Sequence, residues 1–153
     1  MNISFKLLDV KRDEIPYDLL LLADPSKILI DEYINKGFCY LAFNGMEIVG
    51  QFVLIQSYTK TYEIVNISVK EEHQGKGIGK QLIEKAIDQA RKLKGNIIEV
   101  GTANTSIYQL IFYQKCGFRI VGIDKDFFIR KYEEEIYENG IQCKDMIRLS
   151  KEL

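Results

Sequence analysis

The stretch NISVKEEHQGKGIGKQLIEKA, residues 66–86, decides the fold of this chain. It begins as an apolar, β-rich run and ends with helical periodicity, and Gly75, Gly77 and Gly79 stand between the two parts. Glycines at a strand-to-helix junction indicate that the backbone turns tightly there or closely approaches another group. The stretch therefore predicts a strand, a glycine loop and a helix in that order.

Two common phosphate-binding patterns do not fit this loop. A Walker A loop requires a glycine where Gln74 stands, and a serine or threonine where Gln81 follows Lys80. A dinucleotide fingerprint, G-x-G-x-x-G, started at Gly75 meets Lys80 instead of its third glycine. The loop therefore does not predict a nucleotide hydrolase or a dinucleotide-binding enzyme.

The pattern that fits is Q-x-x-G-x-G, formed by Gln74, Gly77 and Gly79 at the first turn of the predicted helix. The first amides of a helix have no partner within the helix, and the helix dipole favours an anion beside them. Lys76 and Lys80 add positive charge. We therefore predict a pyrophosphate site, with a turn required only for strand–helix packing as the alternative.

Composition limits the function further. The chain has 153 residues, of which 46% are hydrophobic and 28% charged, as in one globular domain spanning residues 1–153. The net charge of −1 offers no basic surface, so we expect no nucleic-acid partner. No apolar run approaches the ~18 residues of a membrane span. The first residues lack the apolar core of a signal peptide, so we expect a cytoplasmic protein without membrane contact.

Cysteine and histidine usage argues against metal and disulfide chemistry. The three cysteines, Cys39, Cys116 and Cys143, show no C-x-x-C spacing, which disfavours a disulfide framework or a structural zinc site. The single histidine, His73, excludes a multi-histidine metal site, and we expect it to be a surface residue. We therefore expect no metal, and an acid and base drawn from carboxylates, tyrosine or cysteine.

The hydrophobic pattern predicts an α/β fold with the order β-α-α-β-β-β-α-β-α-β-β. Its sheet is mixed and mostly antiparallel, with one central parallel strand pair and helices on both faces. The predicted strands are residues 3–10, 38–44, 47–59, 61–69, 96–102, 118–132 and 141–153. The predicted helices are residues 16–22, 26–36, 78–93 and 105–116, and a polar loop covers 133–140.

A second motif occurs in EVGTANTSIYQLIFYQKCGF, residues 99–118. Together with QGKGIG at 74–79, it resembles the GNAT superfamily of N-acetyltransferases, which use acetyl-coenzyme A. Members of that family combine Q/R-x-x-G-x-G/A after the fourth strand with a later N-x(7–9)-L/F-Y-x-K-x-G-F helix. This chain has both motifs in the same order, and the predicted order of elements is also that of the family.

The resemblance implies a cofactor site in which backbone groups of Ile67 and Val69 pair with the pantetheine arm like an added strand. It also implies that Asn104 contacts this arm and that Tyr113 stands beside the thioester sulfur. Asn104 precedes Tyr113 by nine residues, whereas seven is common in the family, which puts its role in question. The residues expected to hold the pyrophosphate are Gln74, Gly75, Lys76, Gly77, Ile78, Gly79 and Lys80.

The resemblance further implies direct transfer of an acetyl group from acetyl-CoA to a primary amine of a small molecule or peptide. Tyr113 would protonate the leaving thiolate, and the Val69 amide would stabilise the oxyanion. Glu99 is the favoured general base and Glu63 the second candidate, with a water chain as the alternative. Cys116 is expected to face the core and not to act as a nucleophile.

Segments 16–37 and 126–140 correspond to the acceptor site of the family. The second is acidic and aromatic, which suits a cationic amine, although a solvated charged loop would have the same composition. A non-catalytic CoA-binding module of the same fold is the alternative function. The resemblance also admits a homodimer, because dimers are common in this fold.

Overall fold

A computed structural model describes residues 2–153. The strands are β1 (Ile3–Leu7), β2 (Phe38–Asn44), β3 (Glu47–Tyr58), β4 (Thr61–Val69), β5 (Ile97–Ala103), β6 (Arg119–Asp124), β7 (Tyr137–Glu138), β8 (Ile141–Gln142) and β9 (Met146–Glu152). The helices are α1 (Tyr17–Ala23), α2 (Lys27–Ile34), α3 (Ile78–Lys92), α4 (Ile107–Lys115) and α5 (Phe127–Lys131). None of these helices is long and apolar enough to cross a membrane.

Seven strands form one mixed sheet in the order β1-β2-β3-β4-β5-β9-β6. The β4–β5 pair is parallel, and every other neighbouring pair in this sheet is antiparallel. Strands β7 and β8 form a separate two-stranded hairpin. The predicted class, a mostly antiparallel sheet with one central parallel pair, is confirmed.

Helices cover both faces of the sheet, as predicted. On one face α3 and Tyr113 of α4 belong to the main core. On the other face, residues from α1 and α2 form a second core with β2 and β3. The apolar residues of α3 recur every three or four positions, so one stripe of the helix is buried. The buried residues of that stripe are Ile78, Leu82, Ile83, Ala86, Ile87 and Ala90.

The predicted strand 118–132 is wrong beyond Asp124, where β6 ends and α5 soon follows. Asp126 takes a left-handed φ of 61°, and its N–H donates to Asp145 Oδ1 at 2.9 Å, so a long-range contact turns the chain. The predicted strand 141–153 is also too long, because β8 is separated from β9 by residues 143–145. The loop predicted at 133–140 contains β7.

A β-bulge at Val65 positions the site. Asn66 is opposite Val53 and Ile64 is opposite Leu54, so Val65 has no partner on β3. Pairing of β4 with β5 ends at Ile64. A bulge bends its strand and increases the local twist. The remaining part of β4 therefore diverges from β5, and a gap opens between the two parallel strands.

Candidate active site

The divergent end of β4 presents free backbone groups to this gap. Lys70 N–H donates to Val49 O at 2.8 Å, which makes these two residues a hydrogen-bonded pair of the antiparallel ladder. Because such pairs alternate with non-hydrogen-bonded pairs, Ile67 and Val69 direct their backbone groups away from β3. Gln74 Nε2 donates to Val69 O at 3.0 Å and so occupies this carbonyl, whereas the Val69 N–H points away from β3 towards the gap.

The glycine loop leads directly into the first turn of α3. Gly75 and Gly77 have φ values of 76° and 84°, a conformation that other residues rarely adopt. A Cβ at either position would meet no atom within 4 Å, so close packing does not explain these glycines. The left-handed turn requires them, and it leaves the loop exposed.

The amides at the start of α3 are open to an anion. Gly77 is the N-cap and supplies no side-chain cap, and the first bond within the helix runs from Gln81 N to Gly77 O at 3.3 Å. The N–H groups of Ile78, Gly79 and Lys80 therefore have no acceptor within the helix. The Lys80 side chain is exposed, whereas Ile78 is buried and offers only its backbone. Gln74 and Lys76 are exposed as well.

Tyr113 is a buried residue of α4 with an unpaired hydroxyl. Its ring lies 5.5 Å from that of Phe112 and 6.1 Å from that of Phe118, measured between centroids. The hydroxyl makes no hydrogen bond to residues 2–153. Burial raises the pKa of Tyr113 above its usual value, and Cys116 raises it further. A phenol is protonated at neutral pH even at its usual pKa near ~10, so Tyr113 carries the proton that a donor requires.

Asn104 holds the chain segment that precedes β9. Its Nδ2 donates to Gln142 O at 3.2 Å, and its Oδ1 accepts from the amides of Lys144 and Asp145 at 2.9 and 3.1 Å. The structure thus uses both polar atoms of this side chain in a structural anchor, and its expected contact with the pantetheine arm stays a prediction. Ser106 stands at the seven-residue distance from Tyr113 that Asn104 lacks. Its hydroxyl donates to Glu138 Oε1 at 2.7 Å.

Replacing Asn104 with alanine tests whether this residue anchors the chain before β9 or contacts the cofactor. The substitution removes three hydrogen bonds, so we expect the free energy of unfolding to fall by about 1–3 kcal/mol. Stabilisation by added acetyl-CoA should be retained, because the anchor lies outside the loop. Thermal unfolding with and without the ligand measures both effects, and Asn35→Ala, which removes one exposed side-chain bond, is the control. Loss of the ligand effect at normal stability would instead assign Asn104 to the cofactor.

The two candidate bases are neighbours. Glu63 of β4 and Glu99 of β5 are opposite each other in the parallel pair. Arg148 Nη1 donates to Glu63 Oε2 at 3.1 Å, and Ser57 Oγ donates to Glu99 Oε1 at 2.9 Å. Burial raises the pKa of Glu63, and the Arg148 guanidinium partly offsets this. Both glutamates line a cleft of about 530 Å³, together with Arg148 and residues 121–124.

A buried carboxylate joins the two segments predicted to form the acceptor site. Asp24, which follows α1, accepts from Tyr33 at 2.9 Å and from Tyr132 at 2.9 Å. Asn66 Nδ2 donates to the Tyr33 hydroxyl at 2.8 Å, which ties this cluster to the bulged part of β4. The sequence identified the two segments but not Asp24, because an Asp-Pro pair reads as an ordinary turn.

The single histidine and the three cysteines are not among the residues that line the cleft. The side chain of His73 is partly exposed, at 13%, and its Nε2 lies 3.2 Å from Glu47 Oε1. Glu47, Glu72 and His73 are the one group among residues 2–153 that is spaced like a metal site. Cys116 is partly buried in the main core, and the cysteines of the described chain are unpaired.

Comparison with known proteins is consistent with this geometry. Residues 8–118 match the model of the acetyltransferase (GNAT) family. The chain is 56% identical over 148 residues to the uncharacterized N-acetyltransferase YvbK of Bacillus subtilis, covering 97% of this chain and 95% of that protein. An acetyltransferase of Elizabethkingia anophelis with acetyl-CoA bound is 49% identical, with a TM-score of 0.96 and 99% coverage of both chains. A Bacillus subtilis acetyltransferase in complex with CoA is 54% identical, with a TM-score of 0.91 and 99% coverage of both chains.

Proposed function

This chain belongs to the GNAT family of acetyltransferases, and on that premise we propose that it transfers an acetyl group from acetyl-CoA to a primary amine of a small molecule or peptide. The observation that carries the proposal is that two backbone surfaces able to bind a ligand follow one another at the end of β4 and the start of α3. The amides that begin α3 lie beside the loop, and the outward backbone groups of Ile67 together with the N–H of Val69 line the gap in the sheet.

Acetyl-CoA matches both surfaces chemically. Its pyrophosphate would accept from the amides of Ile78, Gly79 and Lys80, where the helix dipole favours an anion. Its pantetheine arm carries amide groups that would pair with Ile67 and Val69 in the manner of an additional strand. The two relatives described above, which bind acetyl-CoA and CoA, support this assignment.

The transfer itself requires three groups. The amine nitrogen attacks the thioester carbonyl, so that a C–N bond forms and the C–S bond breaks. The free N–H of Val69 would stabilise the oxyanion, and Tyr113 would protonate the departing thiolate. Glu99 would take the proton of the acceptor ammonium, because its hydrogen-bond donor, Ser57, is neutral.

The charge of the cleft favours a cationic acceptor. Three carboxylates, those of Glu63, Glu99 and Asp124, line it together with one cation, Arg148. A protonated amine would therefore be attracted before it loses its proton. The nearby segment with Phe127, Phe128 and Tyr132 supplies aromatic faces that also favour cations.

Thermal unfolding with acetyl-CoA, CoA or ATP tests the cofactor assignment. At about 100 times the dissociation constant, a ligand that binds only the folded state contributes roughly 2.7 kcal/mol of stability. For a domain of this size we expect Tm to rise by roughly 5–10 °C with acetyl-CoA and not with ATP. An absent shift, or an equal shift with ATP, would contradict the assignment.

A thiol-release assay over a panel of amines then tests the transfer. Acetyl-CoA alone provides the hydrolysis background, and each primary amine is tested beside its quaternary ammonium analogue, which cannot accept an acetyl group. Thiol release with some primary amines above this background is the expected result. A protein that is stabilised by acetyl-CoA but acetylates no amine in the panel would match the non-catalytic CoA-binding module instead.

A further inference from the structure

Alternating charges cross the sheet on the face that carries α1 and α2. Arg148 of β9 bonds to Glu63 of β4 at 3.1 Å, and its Nη2 lies 3.9 Å from Asp124 Oδ2 of β6. Arg130 of α5 pairs with the other oxygen of Asp124 at 2.7 Å. Arg148 therefore lies between two carboxylates and reaches past β5, the strand that carries Glu99.

A glycine on β5 lies beside this reach. The residue opposite Arg148 on β5 is Gly101, and a Cβ there would lie 3.4 Å from Arg148 Nη1 and would clash with Met146. The glycine is therefore required by Met146, and the Arg148 guanidinium packs beside it at ordinary contact distance. The Phe127 ring, whose centroid is 5.5 Å from Arg148 Cζ, packs on the guanidinium. Arg148 is thus held by two ion pairs and an aromatic contact.

Two neighbouring carboxylates without a cation compete for one proton, because like charges so close cannot both ionise freely. In this cleft the two carboxylates have different partners, so they do not compete for the proton on equal terms. Glu63 has a cation as its partner, whereas the hydrogen-bond donor to Glu99 is the neutral Ser57. Among the described residues, Arg148 supplies the only ion pair made by either glutamate.

We propose that Arg148 is a positioning residue that gives the two glutamates different roles. It favours the ionised form of Glu63 and fixes its carboxylate, and it leaves Glu99 free to take the proton of the acceptor ammonium. The proposal rests on the proposed function and deepens it, since it selects one of the two candidate bases.

Other groups facing the pair are neutral or more distant. On β3, Ile55 lies opposite Glu63, and on β9, Ser150 lies opposite Glu99. The residue paired with Ser150 on β6 is Arg119, an exposed cation two strands away from Glu99. Asp124 faces Arg148, and its charge is already matched by Arg130. Arg119 therefore provides a matched control for the removal of one positive charge.

The test is a pH titration of the glutamate carboxyl groups by carbon NMR in Arg148→Met and Arg119→Met, without any acceptor. Removing the nearby cation should raise the pKa of the glutamate pair by roughly one unit or more, because a cation favours the ionised form. Arg119→Met should titrate like the unchanged protein. Arg148→Lys, which keeps the charge, should restore most of the effect and guards against misfolding of the methionine variant. An unchanged titration in a folded Arg148→Met variant would overturn the proposal.

The pH dependence of acetyl transfer supplies the second readout. In Arg148→Met the acid limb of kcat/KM should move upward by about the same amount, since the base must lose its proton before it acts. Glu99→Gln should lose transfer, whereas Glu63→Gln should lower it by a smaller factor, because Glu63 lines the cleft but does not take the proton in this assignment. Loss of transfer in Glu63→Gln equal to that in Glu99→Gln would make Glu63 the base and overturn the assignment. A shifted titration with no acetylation of any amine would contradict the proposed function and not the ion-pair effect.

Discussion

Replacing Gly79 with aspartate should abolish stabilisation by acetyl-CoA without weakening the ligand-free fold. A Cβ at Gly79 would make ordinary contact, 3.4 Å from Phe112 Cζ, so the side chain can be accommodated. Glycine is unfavourable inside a helix by roughly 0.5–1 kcal/mol, and an acidic residue in the first turn is favourable. The ligand-free protein should therefore unfold at the same temperature or slightly higher.

The same carboxylate would repel the pyrophosphate. A negative charge about 5 Å from a single phosphate charge costs roughly 3 kcal/mol at the effective dielectric of a protein surface, so affinity should fall at least ~100-fold. Gly79→Asn has nearly the same shape without the charge and separates repulsion from steric effects. Equal acetyl-CoA shifts in Gly79→Asp and the unchanged protein would show that the anion binds elsewhere.

The fold could be predicted where local pattern and long-range contacts favour the same structure. Residues 61–69 alternate as a strand should, and residues 78–92 repeat with helical period, so both elements were predicted close to their bounds. Segment 118–132 has an apolar pattern that suits either element. Its division depends on Asp126, whose amide binds a carboxylate 19 residues away, and no local signal indicates that contact.

In the candidate site, too, the parts that depend on local sequence could be predicted and the parts that depend on distant residues could not. The loop around Gly77 could be predicted because a backbone binding surface depends on local conformation. The contact between Arg148 and Glu63 could not, because it joins residues 85 positions apart and depends on β9 lying beside β5. The bond from Tyr132 to Asp24 spans 108 positions and is hidden for the same reason.

Replacing Tyr113 with phenylalanine should slow acetyl transfer by about 100- to 1,000-fold while leaving the fold and acetyl-CoA binding intact. The ring contacts with Phe112 and Phe118 remain, and the hydroxyl has no hydrogen bond within the described chain to lose. What is lost is the phenol hydroxyl that the proposed function assigns to protonation of the thiolate. The loss should appear in kcat, because the thiolate needs its proton only as the C–S bond breaks.

Tyr108→Phe is the matched control, since it removes the same atom from the same helix at a residue that is 79% exposed. Steady-state thiol release with saturating amine compares the two variants, and thermal unfolding with acetyl-CoA verifies that both still bind the cofactor. If Tyr113→Phe transfers acetyl groups as fast as Tyr108→Phe, water protonates the thiolate. Tyr113 would then contribute to this protein only as an aromatic residue of the core.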